Sequence, residues 1–205
     1  MVQGAIERDG GHLLIDQLLI QGVDTVFSVP GESFLPAINA LFDHQKDIKL
    51  VVCRQEGGAA FMADAYAKLT RKAGICFVTR GPGASNASIG VHTAFQDSTP
   101  LILFIGQVGS EFSDREAFQE LDYRQMFGQM AKWVAQVNST DRIPEYVTKA
   151  FQIATSGRPG PVVLALPEDI LSSTSKAIDG KRYKKIKASA SPDDFDKVFS
   201  LLEAS

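Results

Sequence analysis

The segment VVCRQEGGAA, residues 51–60, contains the change from strand to helix that decides the fold of this chain. Its apolar run ends at Arg54 and Gln55, and Glu56 is followed at once by two glycines and two alanines. An unbroken apolar run is typical of a strand that is buried on both faces, and the small residues after Glu56 predict close packing or space for a ligand. A carboxylate at such a turn is therefore a candidate functional group.

The same alternation of strand and helix runs along the chain. The predicted strands are 24–29, 49–53, 74–79, 100–106, 133–137 and 161–166. The predicted helices are 12–22, 34–44, 57–71, 84–96 and 142–155, with Asp141 as the cap of the last one. Because parallel strands need crossover connections, this order predicts an α/β fold with a doubly wound, mainly parallel six-stranded sheet and helices on both faces. The working residues of such sheets lie at the carboxyl ends of the strands, and Glu56 follows one of these ends.

Composition limits the classes of function. The chain has 205 residues and a net charge of −3, which gives no electrostatic support for binding nucleic acid or an anionic membrane. No apolar run reaches the ~18 residues that span a bilayer, and the first residues do not have the pattern of a signal peptide. Cys53 and Cys76 lie in apolar surroundings without a C-x-x-C spacing or a nearby histidine. This pattern predicts buried free thiols in a reducing cytoplasm.

The last 34 residues differ in character from the rest. Residues 172–190 are polar and predict a solvated linker, with a functional basic patch as the alternative; its basic residues include Lys181, Arg182, Lys184, Lys185 and Lys187. A helix is predicted to begin after Ser191 as N-cap, with Pro192 in its first turn. Its apolar face would consist of Phe195, Val198, Phe199 and Leu202. The expected organisation is an amino-terminal domain, 1–171, a linker, 172–190, and the first helix of a truncated middle domain, 191–205; alternatively, this helix docks back onto the first domain.

Glycine-rich turns follow the first three predicted strands, in the segments VPGESF, RQEGGAA and TRGPGASNAS. Gly31, Gly57 and Gly83 would let the backbone approach a ligand closely. The segment GPGASN is not a full dinucleotide fingerprint, because Asn86 replaces the third glycine, and a tight turn between strand and helix is the alternative. Three such turns share one edge of the predicted sheet, which favours a ligand site there.

Four segments together carry a family resemblance: RQEGGAAFMADAYAKLTRKAGICFVTRGPGASNA, TAFQDSTPLILFIGQV, AFQELD and ATSGRPGPVVLALPED. They closely resemble the amino-terminal, pyrimidine-binding domain of thiamine-diphosphate enzymes, best of all the acetolactate synthase group, from about residue 9 to residue 171. The resemblance implies a homodimer or homotetramer that acts on a small 2-oxo acid, with neither nucleic acid nor membrane as partner. It also implies an active site between chains, in which this domain holds the aminopyrimidine ring while the carboxyl-terminal domain of another chain holds the diphosphate and Mg²⁺.

The resemblance gives Glu56 a catalytic role. The matching glutamate hydrogen-bonds N1′ of the aminopyrimidine and favours the 4′-imino form, which removes the thiazolium C2 proton before a 2-oxo acid is decarboxylated. This role implies that Glu56 is buried. The alternative is a glutamate stabilised by the dipole of the helix that follows it.

Other site residues follow from the same resemblance. Those expected near the cofactor are Pro30, Gly31, Thr79, Pro82, Gly83 and Asn86. Gln119 is expected to face the reacting centre, with Phe118 beside it. Lys132 matches a lysine near the substrate entrance, or is a surface lysine next to Trp133. Arg158 matches an arginine that contacts FAD in acetolactate synthases, although the segment GRPGP is also typical of a rigid turn.

Two departures from the family pattern limit these expectations. Glu32 in VPGESF replaces the second glycine of a Pro-Gly-Gly sequence, which leaves the substrate open among acetolactate synthase, pyruvate decarboxylase, sulfoacetaldehyde acetyltransferase and oxalyl-CoA decarboxylase types. The G-D-G…N motif for diphosphate and Mg²⁺ does not occur in these residues, so the metal ligands are expected on a missing carboxyl-terminal domain. The sequence thus favours the amino-terminal part of a transferase or lyase that is inactive alone. The alternative is a stand-alone, non-catalytic module that needs a partner chain.

Overall fold

Strands and helices alternate through the part of the chain that the computed structural model describes, residues 6–186 and 188–204. The strands in these residues are β1 (Arg8–Asp9), β2 (Thr25–Ser28), β3 (Lys49–Val52), β4 (Gly74–Thr79), β5 (Leu101–Gln107), β6 (Trp133–Gln136), β7 (Val162–Pro167) and β8 (Thr174–Ser175). The helices are α1 (Gly10–Gln21), α2 (Leu35–Asp43), α3 (Glu56–Thr70), α4 (Arg80–Gln96), α5 (Tyr123–Phe127), α6 (Ile143–Thr155), α7 (Glu168–Ser172) and α8 (Pro192–Glu203). The six predicted strands are therefore confirmed, as are the five predicted helices that accompany them.

Six strands form one sheet in the order β3-β2-β4-β5-β7-β6, and every neighbouring pair is parallel. The predicted doubly wound α/β sheet is confirmed. From β2 the chain first adds β3 on one side and then adds β4 on the other, so the order reverses between β2 and β4. In open sheets of this type, the crevice at such a reversal is where ligands bind. The edge formed by the carboxyl ends of the strands is called the carboxyl edge below, and the opposite edge is called the amino edge.

The two faces of the sheet carry different cores. Helices α1, α2 and α6 cover one face with large side chains, and Phe77 and Phe104 stack there with ring centroids 4.7 Å apart. Helices α3, α4 and α5 cover the other face, where small residues predominate in α3 and α4. A Cβ atom added to Gly90 of α4 would lie 2.5 Å from the Cβ of Ala60 in α3. Because no side chain separates these two positions, α3 and α4 pack in close contact.

Asp141 does not cap α6, contrary to the prediction. A short 3₁₀ turn, Thr140–Arg142, precedes α6, and the residue at the cap position, Arg142, makes no side-chain hydrogen bond to the helix. Pro144 stands in the first turn of α6 and has no backbone N–H to be capped. The carboxylate of Asp141 instead accepts a hydrogen bond from Ser175.

The first part of the predicted linker is packed on the domain. Strand β8 pairs antiparallel with β1, and the side-chain amides of Gln17 and Gln21 bond to the backbone of residues 180–183. The ring of Tyr183 also packs on Phe151 at 5.4 Å. Contacts with the first domain therefore continue past the predicted boundary at residue 171. The described residues after Tyr183 up to α8 are exposed, and Lys187 lies outside the described residues.

Helix α8 begins as the sequence predicts. Ser191 caps it, and the side chains of Ser191 and Asp194 form a capping box. No residue of this helix is buried, and Phe195, Val198 and Phe199 are all more than half exposed. The alternative in which α8 docks onto the first domain is therefore wrong for this structure, whereas its place in a further domain stays a prediction.

His12 links the start of α1 to the end of α2 through a small ionic cluster. Its backbone N–H donates to the carboxylate of Asp9, and its ring nitrogens lie 2.9 Å from Asp9 and 3.0 Å from Asp43. Burial disfavours the charged ring, but the hydrogen bonds to Asp43 and Asp9 outweigh it, so the pKa of His12 is raised. Protonated His12 therefore stabilises the fold.

We expect the stability contributed by His12 to depend on pH. A raised pKa means that this stability is complete below the unfolded value of about 6.5 and is lost as the pH rises through the folded value. Since exposed ion pairs contribute roughly 0.2–1 kcal/mol, His12→Gln should destabilise the chain by about that amount at pH 5.5 and by less at pH 8. Urea unfolding at both pH values measures the difference. His92→Gln, at an exposed histidine of α4, is the control, and equal losses at both pH values would contradict the prediction.

Candidate functional site

Glu56 is the first residue of α3 and lies at the carboxyl edge, after the short turn that follows β3. The helix is capped by its neighbour, because the Gln55 side chain accepts a hydrogen bond from the backbone N–H of Gly58 at 2.8 Å. Oε2 of Glu56 accepts a hydrogen bond from the side-chain amide of Asn86 at 2.9 Å. This bond joins the first turn of α3 to the second turn of α4. A glutamate that served only to start the helix would not need such a partner.

The second oxygen of the carboxylate, Oε1, has no hydrogen-bond partner among residues 6–186 and 188–204. It faces Gly83, where an added Cβ would lie 3.7 Å from Oε1 and 3.2 Å from the Cβ of Val78. Glu56 is half-buried rather than buried, contrary to the expectation from its role. One carboxylate oxygen is thus held in place, while the other is available to a ligand.

The turn after β2 lies against the end of β4, at the reversal of strand order. A Cβ at Gly31 would lie 2.4 Å from the Cβ of Thr79, so only glycine fits there. The hydroxyls of Ser33 and Thr79 are 2.7 Å apart and share a hydrogen bond. Pro30 and Pro82 are exposed beside these two turns. The structure therefore brings the predicted cofactor residues of the first and third turns to the same part of the carboxyl edge.

Gln119 reaches this edge through its backbone. Its carbonyl accepts a hydrogen bond from the N–H of Gly81 at 2.9 Å, and its φ of +65° lies in the left-handed region. The loop that carries it is fixed by Glu120, whose carboxylate accepts from the N–H groups of Asp114 and Ala117. Phe118 is 75% exposed. The catalytic role of the Gln119 side chain stays a prediction.

Lys132 and Arg158 lie at the amino edge, away from Glu56, because each of them precedes its strand. Lys132 donates to the carbonyl of Ser156 at 2.7 Å, and burial lowers its pKa. Arg158 donates to the hydroxyl of Ser98 at 2.7 Å and to the carbonyl of Gln96, at the end of α4. Lys132 is exposed next to Trp133, as its alternative describes, whereas its place near a substrate entrance and the FAD contact of Arg158 stay predictions.

Arg80, the first residue of α4, also lies at the carboxyl edge and is not among the residues predicted from the sequence. Its guanidinium forms ion pairs with Glu168, after β7, and with Glu32, after β2. Arg80 is buried, and its φ of +37° lies in the left-handed region. Arg80 follows β4 and Glu168 follows β7, as Glu56 follows β3, so the rule that polar residues after the strands belong to the site applies to all three. The strand β3 itself lies at the edge of the sheet and is partly exposed, contrary to the expectation that it is buried on both faces.

A separate cavity of about 670 Å³ lies between strands β6 and β7 and the loop 113–124. Gln107, Glu120, Tyr123 and Gln136 are among its lining residues, and none of the predicted site residues is. Burial raises the pKa of the Tyr123 phenol. The described residues contain no cluster of three or more His, Cys, Asp or Glu side chains placed to hold a metal ion. Nor does any helix in that part of the chain have the length and apolarity needed to cross a membrane.

Comparison with known proteins places this geometry in context. Residues 8–126 match the family described as "Thiamine pyrophosphate enzyme, N-terminal TPP binding domain". The chain is 40% identical over 161 residues to a probable acetolactate synthase large subunit of Methanocaldococcus jannaschii, covering 78% of the chain and 27% of that protein. It is 39% identical over 164 residues to the mitochondrial acetolactate synthase catalytic subunit of Saccharomyces cerevisiae, covering 80% of the chain and 24% of that protein.

The chain is similar to the same extent to a bacterial acetolactate synthase subunit. Identity to the acetolactate synthase isozyme 2 large subunit of Escherichia coli is 40% over 162 residues, covering 79% of the chain and 29% of that protein. The chain thus spans about a quarter of the length of the curated relatives that it matches.

Proposed function

Because the chain belongs to the thiamine pyrophosphate enzyme family through its N-terminal TPP-binding domain, we propose that it supplies the aminopyrimidine half of an active site. The proposed enzyme decarboxylates and joins 2-oxo acids in the manner of an acetolactate synthase. One observation carries the proposal: Asn86 holds one carboxylate oxygen of Glu56 and leaves the other available beside Gly83.

The residues at the carboxyl edge fit an aminopyrimidine ring. Side chains are absent at Gly31 and Gly83, where an added Cβ would be crowded by Thr79 and Val78, so the backbone can approach a flat ring closely. When bound, thiamine diphosphate supplies the electron sink that decarboxylation of a 2-oxo acid requires. Oε1 of Glu56 would share a proton with a ring nitrogen. The Asn86 bond to Oε2 keeps that carboxylate oriented, so little reorganisation is needed when the proton moves.

Other parts of the cofactor are assigned as the family resemblance implies. The diphosphate and Mg²⁺ are proposed to bind a carboxyl-terminal domain of another chain, and Gln119 is proposed to face the reacting centre. FAD is a weaker proposal, since Arg158 already donates to Ser98 and Gln96 and would have to exchange these bonds. A cytoplasmic location is also proposed, and the buried free thiols of Cys53 and Cys76 support it.

We also propose that a second copy of the chain covers the exposed surfaces of α3 and α4. Phe61 follows Ala60 and Ile89 precedes Gly90, so the contact between Ala60 and Gly90 places two exposed apolar side chains on neighbouring helices. Met62 is also exposed on α3. Apolar surface of this kind favours association, and cyclic dimers are the commonest homo-oligomers. Sedimentation of the full-length protein tests this part of the proposal.

Calorimetry tests whether the chain holds only the pyrimidine half of the site. Thiamine diphosphate and Mg²⁺ titrated into the 205-residue chain should give negligible heat, because the charged diphosphate has no proposed partner here. Tight, Mg²⁺-dependent binding would contradict the half-site assignment. A downstream G-D-G…N motif in the coding sequence after Ser205 would support it, and titration of that longer protein should then give Mg²⁺-dependent binding.

A further inference from the structure

The guanidinium of Arg80 bridges three strand ends at the carboxyl edge. It extends from the end of β4 to Glu168 after β7 and, at 3.3 Å, to Glu32 after β2. Only 11% of its side chain is exposed. A buried guanidinium must be paired, so at least one of these carboxylates is required to hold Arg80 in place.

The two carboxylate partners are not equivalent. Glu168 makes the closer contact with Arg80, and 39% of its side chain is exposed. The side chain of Glu32 is 74% exposed and makes the longer contact. An ion pair with so exposed a partner contributes little, because water competes for the carboxylate. Glu168 is therefore the holding partner of Arg80, and Glu32 is the exchangeable one.

Arg80 also keeps an unused donor. Its Nε is buried and has no hydrogen-bond partner in the described residues. Guanidinium has five N–H donors in a planar fork that matches a carboxylate through two parallel bonds. An unpaired buried donor is unfavourable, so binding of an anion beside it would be favoured over the empty arrangement.

The backbone places this group next to the proposed cofactor site. Arg80 lies three residues before Gly83 and six before Asn86 on the same helix. Its φ of +37° is unusual for a residue with a side chain, and the bond from the N–H of Gly81 to the carbonyl of Gln119 holds the first turn in position. Strained backbone of this kind often occurs at functional sites.

We propose that Arg80 is the substrate-binding residue that pairs with the carboxylate of the 2-oxo acid, which displaces Glu32 while Glu168 holds the guanidinium. This inference rests on the function proposed above and adds the group that recognises the substrate. It also specifies the class of substrate. With Glu168 in place and Glu32 nearby, a second negative charge would be repelled, so the site favours compact monocarboxylic 2-oxo acids.

NMR of the ¹⁵N-labelled 205-residue chain tests the proposal directly, since arginine Nε–Hε groups give resolved signals. The probes are sodium pyruvate and its neutral isostere methyl pyruvate, at constant ionic strength, with Arg80→Lys to assign the signal. We expect a saturable shift of the Arg80 signal with pyruvate and none with methyl pyruvate. Glu32→Gln should tighten pyruvate binding by about threefold, because the competing carboxylate is gone.

The controls separate recognition from folding. Glu145→Gln removes the exposed partner of Arg142 and should leave pyruvate binding at Arg80 unchanged. Glu32 is exposed, so its variant keeps the test informative even if Arg80→Lys does not fold. The absence of a saturable shift, an equal shift with methyl pyruvate, or weaker binding after Glu32→Gln would each overturn the proposal. Glu56 takes no part in this readout, so such a failure would leave its proposed role intact.

Discussion

Glu56→Gln should slow exchange of the thiamine C2 proton by about 10²–10⁴-fold in a protein that holds the complete cofactor, the range that positioned proton transfer contributes. The amide is nearly the same size as the carboxylate, and its oxygen can still accept the hydrogen bond from Asn86. It cannot share a proton with the ring nitrogen. The loss is therefore expected in proton transfer, whereas the fold should be preserved.

Quenched-flow hydrogen–deuterium exchange at C2, read by NMR, measures this rate on the bound cofactor. Glu111→Gln is the control, because Glu111 is an exposed carboxylate after β5, at the same edge of the sheet. Its exchange rate should match that of the unmodified protein. An unchanged rate for Glu56→Gln, with cofactor bound, would remove Glu56 from its proposed role.

Gly90→Val should destabilise the chain by roughly 3 kcal/mol, at the upper end of the usual loss for overpacked cores. Even a single Cβ at this position would lie 2.5 Å from the Cβ of Ala60 and 3.1 Å from its backbone carbonyl carbon. The two helices must separate to accept it. Because Glu56 and Asn86 lie on those helices, the hydrogen bond between them should weaken as well.

A matched substitution in α3 separates the effect of crowding between the helices from the effect of replacing a glycine in a helix. A Cβ at Gly58 would meet only the Gln55 side chain, at 3.9 Å. Gly58→Ala should therefore stabilise α3 slightly, by about 0.5–1 kcal/mol, since alanine has the higher helix propensity. Urea unfolding gives both values. Similar changes for the two variants would show that close packing of α3 on α4 is not what Gly90 provides.

The order of strands and helices could be predicted from the sequence because it depends on local patterns. Mainly apolar segments mark the strands of the sheet, which are four to seven residues long, and parallel strands force the crossovers between them. Glu56 could also be identified as a candidate site residue, since it lies in the turn after such a run. The position of a residue after a strand thus selects candidates for the site before their contacts are known.

The contacts themselves could not be predicted. Glu56 and Asn86 are 30 residues apart, and Arg80 and Glu168 are 88 apart. Such pairs form only when the sheet brings distant strand ends together. The half-burial of Glu56 was missed for the same reason, because the sequence indicates neighbours along the chain and not the space around a side chain.

The composition of residues 172–183 does not predict their contacts with α1. Residues 172–183 are polar enough to predict a solvated linker. The side chains of Gln17 and Gln21 nevertheless form hydrogen bonds with the backbone of residues 180–183. Polar side chains at buried positions of α1 were the available signal. Asp141 shows the converse, since a residue suited to capping is used in a hydrogen bond with Ser175.

The path of this tail determines where a covalent tether can begin. The chain leaves β8 beside β1 and runs along α1 to Tyr183, near the point where α1 leads into β2 at the amino edge. Glu56 lies at the other edge, and a six-residue strand such as β4 spans about 20 Å between the two. Whatever is attached after Tyr183 is thus tethered on the far side of the sheet. A segment that follows Tyr183 would therefore need roughly six extended residues to cross that distance and reach Glu56.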